Sequence, residues 1–160
     1  MKAIYYIAVA EIIAYLALTI FRFKKIPKSI SDTYYQWSQV GNRFLFTFVM
    51  WTVGFAILIY WISVSRTNLQ WCAFLSISGM LFVGGACAFK ETLTKAVHYA
   101  SAGVWAFFAL LYFALVPDWA AIIAGAAVFF IVALLIDNRH FTFWAEVAVI
   151  VAMIGGIFVL

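Results

Sequence analysis

The chain predicts an all-α polytopic membrane protein: a bundle of six transmembrane helices with a short interfacial helix after the first. Three observations carry this. Of 160 residues, 68% are hydrophobic, 20% aromatic and only 10% charged, whereas soluble domains are about 25% charged. Such a chain cannot cover a globule with polar surface. The apolar residues fall into six runs, about 3–21, 43–64, 69–88, 96–116, 119–136 and 141–160, and a helix needs roughly 20 residues to cross about 30 Å of hydrocarbon. No two-residue alternation runs through them, and backbone groups in lipid must be satisfied within the segment, so helix is required over strand. One transmembrane domain fills 1–160, with no room for a soluble one.

The first span begins like a signal peptide, with Lys2 ahead of an apolar run. Glu11 interrupts that run, no small-x-small cleavage pattern follows, and Arg22 to Lys28 reads as a stop-transfer flank, so 3–21 is kept as a span. The connection after it is the one long connection. Pro27 suits a chain that must turn, and Ser29-Ile30-Ser31-Asp32 resembles a capping box with Ser29 as N-cap. Thr33 to Val40 is aromatic on one side and polar on the other, and Gly41-Asn42 forms a break. The prediction is a short helix in the interface, with Tyr34, Tyr35 and Trp37 at headgroup depth. A plain extension of the second span is the other reading.

The later spans read as packing elements. Gly79, Gly84, Gly85 and Ala88 in the third, Ala121 and Gly125 in the fifth, and Ala148, Ala152 and Gly156 in the sixth make small-residue faces that let helices approach closely. Such faces also suit self-association or a membrane partner. Val116 to Trp119 reads as a tight turn between the fourth and fifth spans. Cys72 and Cys87 stand about 22 Å apart along one helix, at 1.5 Å per residue, so they cannot pair within it and read as free thiols.

The loops set orientation. Connections 22–42, 89–95 and 137–140, with Arg43 at the entry to the second span, hold eight of the ten Lys and Arg residues. Lys2 and Arg66 are on the other side. The positive-inside rule therefore places the basic connections in the cytoplasm and both termini outside, in the inner membrane if the source is bacterial. The net charge of +4 is explained by these flanks and is no nucleic-acid signal.

Polar residues gather toward that same side. Glu91, Lys95, His98 and Ala102 share one side of the fourth helix. His98 lies about one turn into the fourth span and Glu146 about a turn and a half into the sixth, where it is expected to meet His98 or Arg43. Glu11 sits near the middle of the first span as an intramembrane acid, with Tyr15 one turn later. An acid in hydrocarbon costs about 2.5–3.5 kcal/mol on insertion scales, so these groups are expected to face the bundle interior. Metal chemistry needs several converging ligands. Only His98 and His140 are present, outside any HxxxH or HExxH pattern, and no cofactor is expected. A zinc held by His98, His140 and Asp32 or Glu146 is the rival arrangement. No GxSxG and no phosphate-binding glycine loop occur.

Pro27 to Tyr35 (P-x-S-I-S-x-T-Y-Y), Phe89-Lys90-Glu91 six residues before Val97-His98, and Trp144-x-Glu146 together carry a resemblance. The chain resembles a family of small uncharacterised six-span membrane proteins of Bacteroidetes-type bacteria and their phages. The resemblance implies no activity, but implies that these elements form one functional unit. In layout the chain is more distantly similar to the Frag1/DRAM-like six-span proteins. It is similar more weakly still to the seven-span ceramidase and adiponectin-receptor hydrolase superfamily, whose zinc site uses three histidines. This chain has one span fewer and too few histidines.

The functional expectation is a cytoplasm-facing polar pocket that binds a lipid headgroup or small amphiphile. Ser29, Ser31, Tyr34, Tyr35, Arg43, Lys90, Glu91, His98 and Glu146 would form it. Lys90 and Arg43 would meet an anionic group, and His98 and Glu146 would hydrogen-bond or exchange protons. One alternative is a membrane-embedded lipid hydrolase, metal-dependent or not, using His98 with Asp32 or Glu146. Another is a structural or regulatory subunit of a membrane complex.

Overall fold

Apolar runs bounded by basic and turn residues become helices in the computed structural model. It describes residues 2–86, 91–116 and 119–159, and the side chains of these except 91–95, 119, 120, 158 and 159. In order they are α1 (Lys2–Phe23), α2 (Asp32–Ser38), α3 (Phe44–Val64), α4 (Gln70–Ala86), α5 (Glu91–Ala114), α6 (Trp119–Ile136) and α7 (Phe141–Val159). Single 3-10 turns, Thr67–Leu69 and Asn138–His140, lead into α4 and α7. No strand occurs among the described residues.

Five segments are long and apolar enough to cross a membrane: Lys2–Phe23, Phe44–Val64, Thr67–Ala86, Ala96–Ala114 and Asn138–Ile157. The part of α6 whose side chains are described, Ala121–Ile136, is apolar but shorter. The architecture is therefore all-helical, and its apolar helices are compatible with a multi-pass membrane protein. One boundary differs from expectation. The predicted connection 89–95 is mostly helix, because α5 already starts at Glu91; Glu91 to Lys95 contains neither Gly nor Pro to stop a helix. The expected turn at Pro117-Asp118 lies outside the described residues.

The helices assemble largely with their sequence neighbours. α4 packs against both α3 and α5, α1 lies on α3, and α6 packs chiefly on α7. Glycine makes the closest approach possible. A Cβ at Gly79 would stand 2.6 Å from the Trp105 amide nitrogen and 2.7 Å from the Ser101 carbonyl oxygen, so α4 meets the α5 backbone directly. Beside it Ser76 Oγ donates to the Trp105 carbonyl at 3.0 Å. At the centre Trp61 is fully buried, stacked on Phe113 at 5.6 Å and edge-on to Tyr112 at 4.9 Å. Without water to drive them together, membrane helices associate through this kind of dense contact.

Long-range hydrogen bonds fix which ends lie together. Tyr5 near the start of α1 donates from its hydroxyl to the Ile154 carbonyl near the end of α7, at 2.6 Å. The Ser65 and Tyr112 hydroxyls join the end of α3 to the end of α5 at 2.8 Å. At the opposite end of α1, the Ile30 amide reaches Glu146 near the start of α7. The start of α7 thus lies beside the first connection.

That connection is where expectation and structure differ most. α1 stops as Lys24 turns left-handed (φ 54°), the usual geometry just past a helix end. Gly41 (φ 82°) separates α2 from α3, so α2 is a distinct helix and no extension of α3. Trp37 is not seated outward at headgroup depth. It is buried, its indole N–H donates to Thr19 Oγ1 at 2.9 Å, and its ring meets Phe23 edge-on at 5.3 Å. A hydroxyl one turn from the end of α1 outcompetes the interface for the indole donor. Tyr35 does lie exposed, with Tyr34 edge-on between it and Phe46.

Candidate functional site

The first connection folds around hydroxyl groups. Ser29 Oγ accepts the Asp32 amide at 3.0 Å and lies 3.0 Å from Ser31 Oγ. Ser29 therefore serves the Asp32 amide, as expected of a cap, but from two residues ahead of it: Ser31 occupies the N-cap position and makes no side-chain cap bond. The tight turn places the Ile30 amide against α7, where it donates to Glu146 Oε2. Thr33 Oγ1 donates to the Ile30 carbonyl, and Tyr15 of α1 bonds the same Thr33 hydroxyl. Three parts of the chain are thereby tied at one point: α1, the turn and α7.

Beside Glu146 is a small enclosed cavity of about 10 Å³. Ser31, Glu146 and Trp105 are its lining residues with polar side-chain groups, and Phe46, Met50 and Val83 are among the apolar remainder. Trp105 is buried, and its indole nitrogen has no hydrogen-bond partner among the described residues.

The other predicted site residues are dispersed. His98 is partly buried with its ring 5.8 Å from Tyr99; it does not line the Glu146 cavity, where Trp105, two turns further along α5, takes the position expected of it. Arg43 is exposed and folds its guanidinium over Phe44, 4.7 Å from the ring centre, so it does not meet Glu146. Asp32 accepts from Gln36 Nε2 at 3.1 Å. Glu11 meets neither Glu146 nor His98: Thr52 of α3 donates to its Oε1. Lys90 and the Glu91 side chain lie outside the described residues. The structure thus joins Ser29, Ser31 and Glu146, adds Trp105, and leaves His98, Arg43 and Glu11 in separate surroundings.

His140 belongs to a helix-start motif. Its Nδ1 lies 2.6 Å from Asp137 Oδ2. Asp137 also accepts the Arg139 amide at 3.2 Å and the Trp144 indole N–H at 3.4 Å. The His140 hydrogen bond, helped by the other donors and opposed by partial desolvation, holds the Asp137 carboxyl below its usual range. Among the described residues no three His, Cys, Asp or Glu side chains gather as a metal site would require.

On another flank of α7 lies an apolar cleft of about 240 Å³, walled by α5, α6 and α7. Six of its lining residues are alanines: Ala109, Ala126, Ala127, Ala145, Ala148 and Ala152. Phe113 and Phe130 add aromatic surface, and among the described residues no polar side chain lines it. Small residues on three helices leave room that larger ones would fill. The sequence marked Ala148 and Ala152 as packing residues; the structure adds that they face this space.

The residues that sequence reasoning missed are Trp105, Thr52, Thr19 and Thr33. One signal was present for Trp105, which stands seven residues from His98 and hence on a similar side of α5. The threonines gave none, being single hydroxyls of a kind common in membrane helices. Comparison of the chain with protein-family models, with curated proteins and with solved structures gave no match in any of the three.

Proposed function

We propose that the protein is a six-span integral membrane protein that binds a membrane lipid. The spans are α1 and α3 to α7, with α2 at the cytoplasmic face, the basic connections in the cytoplasm and both termini outside. The resemblance to small six-span membrane proteins fits this arrangement and adds no activity to it.

The observation that supports lipid binding is the alanine-lined cleft between α5, α6 and α7. Its 240 Å³ exceeds the roughly 150 Å³ of a dry apolar cavity that takes up benzene. An acyl segment supplies the dispersion contacts that the alanine walls otherwise lack. Arg139, at the turn leading into α7, is the cation assigned here to an anionic headgroup. It is exposed, and the one ion pair among the described residues joins His140 to Asp137 instead. Arg43, at the start of α3, is assigned to the same basic side by the positive-inside rule.

Native mass spectrometry of protein released from bilayers tests this reading. Wild type is expected to retain phospholipid. Ala127→Phe, which fills the cleft from an exposed wall position, should cut retention at least fivefold. Arg139→Ala should lower the anionic share of what remains. Lipid-free wild type, or equal retention by Ala127→Phe, overturns the reading.

A further inference from the structure

The cavity at Glu146 stands apart from the lipid cleft and does not depend on it. Its size, about 10 Å³, matches the smallest space that holds one water, and a buried water needs two to four polar partners. Three are present. The Trp105 indole N–H is a donor without an acceptor in a residue only 6% exposed. Glu146 spends Oε2 on the Ile30 amide, which leaves Oε1 as an acceptor. Ser31 contributes a hydroxyl that can donate or accept. A cation suits this site poorly, because an indole N–H only donates; a neutral molecule with both donors and acceptors suits all three walls.

We propose that one water occupies this cavity and makes Glu146 a proton-binding site served from the basic face. The route runs from the Glu146 carboxyl to the water, to Ser31 Oγ, and across 3.0 Å to Ser29 Oγ, a partly exposed residue of the first connection. The transfer balances as a concerted relay: the carboxyl O–H breaks as water gains that proton, and water passes one of its own to Ser31. Ser31 passes its hydroxyl proton to Ser29, and Ser29 releases one to solvent. A carboxylate and one solvated proton result, and each hydroxyl ends with the proton count it began with. The route stops at Trp105, because the remaining walls are apolar: Phe46 and Met50 from α3, Val83 from α4, Ile150 from α7. Among the described residues no second titratable side chain lines the cavity.

The Trp105 indole proton is the natural reporter. In nitrogen-15 tryptophan-labelled protein in lipid nanodiscs, one of seven indole signals is assigned to Trp105 through Trp105→Phe. That signal is expected to show a cross-peak to a long-lived water and to move with pH in a single step. Glu146→Gln should abolish the step and keep the cross-peak. Ser31→Val, which fills the cavity and leaves Glu146 and Trp105 in place, should abolish the cross-peak. It should also slow proton–deuterium exchange at the Trp105 indole at least tenfold. A Trp105 signal with no water cross-peak overturns the proposal, and so does a shift that ignores pH or a pH step that survives Glu146→Gln. If Glu146→Gln fails to fold, the Ser31→Val result decides alone: unchanged exchange refutes the route.

Discussion

Gly79 controls how closely α4 approaches α5, because the atoms its missing side chain would strike are backbone, at 2.6 and 2.7 Å. A flexible side chain can move aside; a helix backbone cannot without parting the helices. Gly79→Ala is expected to destabilise by about 1–3 kcal/mol, the usual cost of overpacking. Gly125, whose added Cβ meets nothing within 4 Å, is the control. Gly125→Ala should be neutral or stabilising by about 0.5–1 kcal/mol through helix propensity. Denaturation by an ionic detergent in mixed micelles compares the two, and equal effects would contradict the close-approach explanation. At this scale the sequence told little about partners. Glu11 and Glu146 were recognisable as acids inside apolar runs. Their partners, Thr52 and the Ile30 amide, were not, since one is an ordinary hydroxyl and the other a backbone group 116 positions away in the chain. His98 attracted attention for its chemistry, and the structure gives the corresponding place to Trp105, which looks like any other apolar residue of α5.

Among the elements, helix positions were legible and helix faces were not. The six apolar runs match the six long helices to within a few residues, except at Glu91. In α3 and α6, apolar residues occur on all sides, so no stripe indicates which face meets a neighbour. The first connection shows what local reasoning can and cannot see. Its short helix, the break at Gly41 and the service of Ser29 to the Asp32 amide follow from turn and cap chemistry. The inward Trp37 follows from Thr19, eighteen residues earlier, which no local pattern reveals. The start of α7 carries a pH prediction. Asp137, outside the apolar span, is held below its usual range mainly by the His140 hydrogen bond. A depressed folded value means that its stabilising share is complete above the ordinary aspartate value near 3.9 and is lost as pH falls through the lower folded value. Asp137→Asn should flatten the decline in thermal midpoint below about pH 4, with little change in that slope near neutrality. An acid decline of the same steepness in both proteins would contradict this role.

In the whole molecule the helices separate two unlike ends. One holds the hydroxyl-rich first connection, the Asp137–His140 turn and Glu146; the other holds Tyr5, Ser65, Tyr112 and Arg66. The Ile30–Glu146 and Tyr5–Ile154 bonds together place α7 antiparallel to α1. The chain must then return between the end of α5 and the start of α7, a journey that falls to α6. Both the headgroup assignment at Arg139 and the proton route through Ser29 require Arg139 and the first connection to share a face. The cleft was not legible from composition, because it exists only when alanines on three helices are brought together. The proposed sidedness needs no such assembly, because it rests on where cations fall between apolar runs.

Single-cysteine labelling across sealed vesicles tests that sidedness most directly. In a background without Cys72 and Cys87, cysteines at Lys25, Arg139 and Arg66 are probed with an impermeant maleimide from each side. Lys25→Cys and Arg139→Cys should react from one side only, the cytoplasmic one, and Arg66→Cys from the other. Reaction of Lys25→Cys and Arg139→Cys from opposite sides would mean that α6 does not cross, and the shared basic face would be lost.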